Sequence, residues 1–185
     1  MSFKRHPVYP VTFPATSHQL KHLKPGDVVE INGEIYVARD AAHRRFLATI
    51  KKNQTLPFPV KDALLYYMGP TPAPPGRVIG SCGPTTSSRM DTMTEPLLAQ
   101  GLRATMGKGR RSSEIALACR RYQAIYLVSY GGCGAYLNQF VYHCQIVAYP
   151  ELGPEAVYRL VVKKFPAVVV IDVRGKDLYQ AEKEV

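Results

Sequence analysis

The second half of the chain alternates apolar, strand-like runs with helical spacing, and this alternation limits the fold more than any other feature. Residues 103–106 form a short apolar run, residues 113–122 can form a helix capped by Ser112 or Ser113, and residues 124–130 are rich in β-branched and aromatic side chains. Further strands are predicted at residues 145–149, 157–162 and 167–172. Strands that alternate with helices predict an α/β domain.

The first half predicts strands with a different connection. Residues 28–38 alternate apolar and polar side chains around Asn32 and Gly33, and an Asn-Gly pair in this setting is the strongest short signal for a β-hairpin. Residues 41–52 have helical spacing, and residues 62–69 can form another strand. A hairpin beside the later alternation predicts a mixed sheet rather than a purely parallel one.

One domain is predicted at residues 17–185, because a chain of 185 residues is long enough for one substantial core. Residues 1–16 contain Pro7, Pro10 and Pro14 and are predicted to form an extended arm. Such an arm must pack on this domain or on another subunit to be ordered.

The segment of residues 80–91, GSCGPTTSSRMD, is predicted to be a loop that leads into a helix. Its glycines and proline are turn residues, its Ser and Thr residues suit a helix N-cap, and residues 90–100 can be helical before Gly101. The apolar pair Val78 and Ile79 precedes it as a short strand. A strand, a small-residue loop and a helix start together present free backbone N–H groups, and such a place suits an anion.

The net charge of +10 fits three kinds of partner, namely nucleic acid, an acidic protein and a small anionic substrate. The basic residues are dispersed as doublets, without a basic tail interleaved with aromatic residues, so nucleic acid is not expected as a partner. No apolar run approaches the roughly 20 residues that cross a bilayer, and no signal peptide is recognised. A cytoplasmic protein without membrane attachment is therefore expected.

The four cysteines are far apart and form no C-x-x-C pair, so no metal ligand is predicted in this chain. Lys108 lies between two glycines after a predicted strand, where a cation can reach a ligand. Gly109 follows Lys108 where a phosphate-binding P-loop needs Ser or Thr, which excludes an NTPase of that class. Lys108 as an isolated feature is more often a plain surface turn, and Arg39 with Asp40 fits a surface ion pair equally well.

Six segments occur in the order found in one enzyme family, at residues 38–43 (ARDAAH), 67–91 (ending in GPTTSSRMD), 107–109 (GKG), 131–132 (GG), 151–157 (ELGPEAV) and 165–172 (FPAVVVID). From about residue 17 to the C-terminus, the chain resembles the β subunit of class I fumarate hydratase and the closely similar β subunit of tartrate dehydratase. The resemblance implies a swivelling β/β/α domain that completes an active site with a larger, separate α subunit. It also implies that a 4Fe-4S cluster is held by that partner, where the iron acts as a Lewis acid on the leaving hydroxyl.

By the same resemblance, Arg39, Thr85, Thr86, Arg89 and Lys108 line the substrate side of the site. The planar guanidinium groups of Arg39 and Arg89 suit bidentate binding of carboxylates, and Lys108 adds a point charge. Thr86 is expected to bind substrate. Thr85 is the residue that the family uses to take a proton from the carbon next to a carboxylate, and nearby cations would favour its ionised form.

The resemblance favours the reversible hydration of fumarate to (S)-malate, with L-tartrate or a mesaconate-type substrate as the alternative. Arg110–Arg111 and Cys133–Gly134 depart from some relatives, which leaves the substrate open. The alternative from another class is a non-catalytic basic binding module that has kept the fold. A chain separated from its α subunit is expected to expose an apolar face and to be capable of self-association.

Overall fold

The computed structural model describes residues 7–181, in which strands and helices follow one another along most of the chain. The strands are β1 (Val8–Phe13), β2 (Val28–Val37), β3 (Leu64–Tyr66), β4 (Ala104–Gly107), β5 (Ile125–Val128), β6 (Val141–Ala148) and β7 (Val157–Ile171). The helices are α1 (Ser17–Leu20), α2 (Asp40–Lys51), α3 (Asp91–Ala99), α4 (Ser113–Tyr122), α5 (Gly134–Leu137) and α6 (Leu178–Ala181). No helix within the described range has the length and apolarity to cross a membrane.

The strands form one mixed sheet that closes on itself. β2, β3, β4 and β5 are parallel neighbours, and β7 pairs antiparallel with both β2 and β5. Because β7 joins the two ends of the parallel set, the sheet is a barrel, and the carboxyl ends of the parallel strands meet at one rim. β1 lies parallel to β2, and β6 lies antiparallel to β7. The predicted α/β class with a mixed sheet is confirmed.

The hairpin prediction around Asn32 and Gly33 is wrong. β2 runs straight through both residues with only a shift of register against β7, because β1 and β7 pair with it on its two edges. Gly33 has a φ of +90°, and a Cβ atom there would clash with the carbonyl oxygen of Phe13. Asn32 Oδ1 accepts a hydrogen bond from Lys164 N at 3.0 Å. The Asn-Gly pair therefore forms an irregularity inside a strand, and the antiparallel component of the sheet comes from β7.

β7 unites residues 157–162 and 167–172, which the sequence predicts as separate strands. The chain bends at Lys164, whose φ is +54°, without leaving the sheet. Phe165 directly after the bend is fully buried in the core, which holds the strand on course.

Part of the predicted N-terminal arm is a strand of the same sheet. Its residues 1–6 lie outside the described part of the chain, and Val8–Phe13 form β1 beside β2. Val11 and Phe13 are buried in the main core, so this part of the arm packs on the domain itself.

Alternate residues of the strands face the barrel interior or the helices. Tyr66 belongs to the interior core, whereas its neighbours Leu65 and Tyr67 pack in a second core with residues of α2, α3 and α4. The three longer helices lie within a residue of their predicted bounds at nearly every end, and Gly101, with a φ of +99°, follows α3 as predicted. These helices cover one side of the parallel strands and leave the rim accessible.

Candidate functional site

The candidate site lies at the rim of the barrel where the parallel strands end. Arg39 follows β2, Tyr67 follows β3, and Lys108 follows β4. The loop of residues 80–91 crosses this rim and pairs with the segments that follow β3 and β4. Ligands of α/β sheets usually bind outside the carboxyl ends of the strands, because loops from several strands converge there.

Backbone hydrogen bonds hold the loop on two sides. Thr86 and Lys108 form an isolated parallel bridge, in which Lys108 N–H donates to Thr85 O at 3.1 Å and Ser87 N–H donates to Lys108 O at 3.0 Å. On the other side, Thr85 N–H donates to Tyr67 O at 2.8 Å. The structure therefore brings both threonines beside Lys108.

The segment around the loop differs from the prediction in two ways. Val78 and Ile79 form no strand, and the chain reaches the loop through irregular, proline-rich residues 70–79, because the edges of β3 are already occupied by β2 and β4. A 3-10 turn at Ser87–Met90 precedes α3, and no side-chain hydroxyl caps either segment. The hydroxyls of Thr85 and Ser87 instead make hydrogen bonds with Tyr67 O and with the Tyr126 hydroxyl.

The two threonines differ in environment. Thr85 is half-buried, and its hydroxyl donates to Tyr67 O at 3.1 Å. A hydroxyl that donates to a carbonyl has a fixed orientation and keeps lone pairs that can accept a proton. Thr86 is exposed. Thr85 is thus suited to a reaction that requires orientation, and Thr86 to contact with a ligand.

Small residues allow the segments at the rim to approach closely. A Cβ atom at Gly107 would clash with Ser87 Oγ, and a Cβ atom at Gly134 would clash with Ser81 Oγ. These two glycines, at the end of β4 and the start of α5, therefore let the serines of the loop approach closely.

The arginine residues predicted for the site each face a carboxylate. Arg89 Nη2 lies 3.0 Å from Asp40 Oδ2, with 49% and 24% of the two side chains exposed. Arg39 precedes Asp40 in the chain, and its Nη2 lies 3.3 Å from Glu155 Oε1. Asp40 directly follows Arg39 in the chain and pairs with the Arg89 side chain, so this path links the two segments that carry the arginines. The Thr86–Lys108 bridge connects Lys108 to the loop that carries Arg89.

A buried polar layer beneath the site was missed by the sequence analysis. The side chain of Arg111 is fully buried, with Nε 2.5 Å from Asp91 Oδ1 and Nη2 donating to Thr94 Oγ1 at 2.8 Å. Its guanidinium carbon lies 5.4 Å and 5.0 Å from the ring centroids of Tyr67 and Tyr126. The sequence signal for this layer was Tyr126 within the predicted buried strand, because a buried phenol usually requires a polar partner. This layer fixes the backbone of Tyr67, which holds Thr85.

His43 is a second buried polar residue that the helical pattern did not reveal. Its spacing places it outside the apolar stripe of α2, yet it is fully buried against Phe46 and Tyr67. Nδ1 lies 2.9 Å from Arg39 O, and because a carbonyl only accepts, Nδ1 carries the hydrogen. Burial lowers the pKa of His43 to about 4, so the imidazole is neutral at pH 7. The neutral ring anchors the backbone of Arg39.

The described residues do not fit an iron-sulfur cluster. Within residues 7–181, no group of three His, Cys, Asp or Glu side chains is arranged to hold a metal ion. Burial raises the pKa of the Cys82 and Cys119 thiols to about 12, which opposes the thiolate form that binds iron. Any cluster chemistry would have to come from outside this part of the chain.

The site is an open surface. Thr86, Arg89 and Lys108 are all exposed, and none of them lines the cleft of about 630 Å³ between α3 and α4. Tyr130 and Tyr136, in the segment after β5, are 41% and 49% exposed. Because a bound small molecule is usually largely enclosed, a ligand here would need a second surface to cover it.

Comparison with known proteins gives a single family. The family model described as the C-terminus of fumarase matches residues 6–182. The protein named "Fumarate hydratase class I, aerobic" from Escherichia coli (strain K12) is 39% identical over 164 residues, which are 88% of this chain and 30% of that protein. "Fumarate hydratase 2" from Leishmania major is 38% identical over 163 residues, 87% of this chain and 29% of that protein.

A third relative has a similar length. The protein named "Putative L(+)-tartrate dehydratase subunit beta" from Methanocaldococcus jannaschii is 37% identical over 171 residues, which are 89% of this chain and 88% of that protein. The chain thus spans about 30% of the length of the fumarate hydratases it matches and most of the length of a tartrate dehydratase subunit.

Proposed function

Since this chain belongs to the fumarase C-terminus family, we propose that it is the β subunit of an iron-sulfur-dependent hydro-lyase whose favoured reaction is the reversible hydration of fumarate to (S)-malate. Its own part is to bind the carboxylates of the substrate and to transfer the proton at carbon. L-tartrate is the alternative substrate, supported by the 37% identity to the protein named "Putative L(+)-tartrate dehydratase subunit beta". A mesaconate-type acid is a further alternative.

The observation that carries this proposal is the convergence of cations and hydroxyls at one rim of the barrel. Arg39, Arg89 and Lys108 supply positive charge around the threonine loop. A four-carbon dicarboxylate brings two negative charges that must leave water, and guanidinium groups replace that water with charge-assisted hydrogen bonds. In this proposal the arginines bind the carboxylates, Lys108 adds a point charge, and Thr86 contacts the substrate from the loop.

Thr85 is assigned the proton transfer. In the dehydration of malate, ionised Thr85 accepts the proton from C3 and releases it to solvent, while the departing C2 hydroxyl takes up a proton to leave as water; in the hydration direction Thr85 returns a proton to C3. An ordinary threonine hydroxyl is a weak base, so the neighbouring charges of Lys108 and Arg89 must favour its ionised form. The hydrogen bond to Tyr67 O fixes the direction of the neutral Thr85 side chain, and the ionised form gives this hydrogen bond up, so the cations must also offset that loss.

The proposal assigns the 4Fe-4S cluster, and with it the departure of the hydroxyl, to a separate α subunit. Two observations support this assignment. The described residues do not fit a cluster. The chain also covers only 30% of a fumarate hydratase about three times its length, so most of that relative lies outside the matched part. The exposed site would be enclosed by that subunit. We place the assembly in the cytoplasm, because Cys82, Cys119, Cys133 and Cys144 are all free thiols, as a reducing compartment requires.

Reconstitution tests the proposal. The purified chain is assayed alone and with its cluster-bearing α subunit under anaerobic conditions, using fumarate, L-tartrate and mesaconate as substrates. The assembly should hydrate fumarate, and the chain alone should be inactive and lack iron-sulfur absorption. Full activity of the chain alone, or an assembly inactive on all of these acids, contradicts it. The second result would favour a non-catalytic binding module.

A further inference from the structure

Glu155 lies beside Arg39 in the site, although the sequence analysis assigned no role to any residue of the segment 151–157. One carboxylate oxygen, Oε1, lies 3.3 Å from Arg39 Nη2, and the other, Oε2, accepts a hydrogen bond from Ala41 N–H at 2.7 Å. The carboxylate therefore bridges the head of Arg39 and the first turn of α2, which begins one residue after Arg39. A side chain held at both oxygens has little freedom to rotate.

The segment that carries Glu155 is itself fixed. Gly153 has a φ of +56° and kinks the chain before Pro154, and the Tyr158 hydroxyl donates to Gly153 O at 2.8 Å. Ala156 N–H donates to the same carbonyl at 2.9 Å. The carboxylate is thus presented from a locked turn rather than from a surface loop.

The guanidinium of Arg39 is seated against backbone. A Cβ atom at Gly69 would lie 3.0 Å from Arg39 Cζ and 2.8 Å from Pro154 O, so only glycine leaves room for the guanidinium there. Within the described residues, Arg39 Nε is buried and has no hydrogen-bond partner. Nε faces Gly69 and is closed off by protein atoms, whereas 26% of the Arg39 side chain as a whole is exposed, so a ligand carboxylate can reach the guanidinium from its open side.

We infer that Glu155 is a positioning residue that holds the Arg39 guanidinium with its unpaired N–H groups directed at a substrate carboxylate. This inference rests on the proposed function, since it assigns the ligand of Arg39. An acidic residue beside an anion site repels the substrate and so weakens binding. In this inference, the binding free energy gained by orienting Arg39 exceeds the binding free energy lost to that repulsion. The two effects have opposite signs in binding, which makes them separable.

The test is Glu155→Gln in the reconstituted assembly. The amide can still accept from Ala41 N–H, but it then turns an NH₂ group toward Arg39, so the guanidinium loses its anchor while side-chain volume is kept. Misplacing a binding group by about 1 Å can cost up to about 100-fold, and we expect KM for the dicarboxylate to rise about 10- to 100-fold with a smaller fall in kcat. A KM that falls or stays unchanged would mean that Glu155 acts only as a repelling charge, and it overturns the inference.

Two controls distinguish positioning from general damage. Glu151 lies in the same turn and pairs with Arg45 at the surface, so Glu151→Gln should leave KM within about twofold of wild type. In an Arg39→Lys background, Glu155→Gln should have almost no additional effect, because the guanidinium it positions is absent. Equal effects of Glu155→Gln in both backgrounds would contradict the inference, and thermal unfolding verifies that each variant is folded.

Calorimetric titration with (S)-malate separates this inference from the proposed reaction. If the wild-type assembly binds malate but shows no turnover, and Glu155→Gln weakens that binding, the proposed reaction is overturned and the role of Glu155 is retained. If the wild-type assembly turns malate over and Glu155→Gln changes neither binding nor turnover, the proposed reaction is retained and the role of Glu155 is overturned. A wild-type assembly that does not bind malate overturns both.

Discussion

The Tyr126 hydroxyl lies 2.9 Å from Ser87 Oγ, and the same hydroxyl donates to Gly109 O at 2.8 Å. Tyr126 belongs to β5, Ser87 to the loop that carries Thr85, and Gly109 to the turn that carries Lys108. One buried phenol therefore joins the two segments whose relative position sets the distance between the threonines and the lysine. Because Arg111 also packs on the Tyr126 ring, this connection continues into the buried polar layer.

Tyr126→Phe tests this connection, because it removes the hydroxyl and keeps the ring. Loss of a buried hydrogen bond should lower the free energy of unfolding by about 1–2 kcal/mol. Looser positioning of the loop against Lys108 should lower kcat/KM about tenfold in the reconstituted assembly. Both quantities follow from urea unfolding and steady-state kinetics.

The comparison variant is Tyr66→Phe, which removes another buried phenol hydroxyl, one that donates to Cys82 O at 2.7 Å in the same loop but does not reach the Gly109 turn. It should cost similar stability and much less turnover. If the two variants lose turnover equally, Tyr126 has no special role in joining the segments.

His43 predicts a dependence of stability on pH. Its folded pKa of about 4 lies below the ordinary value of 6.5, so the unfolded chain binds a proton that the folded chain does not. The contribution of His43 to the free energy of unfolding is therefore fully present above pH 6.5. It should decline as the pH falls toward 4, by up to about 1.4 kcal/mol per pH unit.

The measurement is urea unfolding of the wild type and of His43→Gln between pH 7 and pH 5. The variant should lose less stability than the wild type over this range, whatever its stability at pH 7. His143→Gln, which changes an exposed histidine on β6, should follow the wild type. Parallel curves for the wild type and His43→Gln would show that His43 is not buried in its neutral form.

Arg89→Lys keeps the positive charge and removes the planar fork. A lysine can still pair with Asp40 but cannot bind a carboxylate through two parallel N–H groups, so we expect substrate affinity to fall about tenfold or more and turnover to decrease, with an unchanged unfolding midpoint. Arg45→Lys, at an exposed ion pair with Glu151 outside the site, is the matched control. Wild-type kinetics for Arg89→Lys would remove Arg89 from the site.

Features set by local sequence could be predicted, and features set by distant pairing could not. α4 starts after Ser112 as expected, without a side-chain cap hydrogen bond from that serine, because helical spacing acts within a few residues. The Asn32–Gly33 hairpin failed because strands from both ends of the chain cover β2, and no local rule contains that information. Glu155 escaped notice for the same reason, since only the fold brings it to Arg39.

The predicted site residues came from resemblance to a family, and their assigned roles remain predictions. The structure adds the path that links Arg39, Asp40 and Arg89 and the bridge between Thr86 and Lys108. It also adds the buried residues beneath them, such as Arg111. In the sequence, Arg111 belongs to a basic doublet, and nothing in that doublet shows that one arginine is buried and the other is on the surface.

The most direct test of the account is the exchange of deuterium from C3-labelled malate by Thr85→Val and Thr86→Val in the reconstituted assembly. Both substitutions keep the shape of the side chain and remove one hydroxyl. Thr85→Val should slow exchange by about 10² to 10⁴ with little change in apparent affinity, whereas Thr86→Val should mainly weaken binding. Near-normal exchange by a folded Thr85→Val assembly would contradict the account, because the proton would then be taken by a group outside this loop.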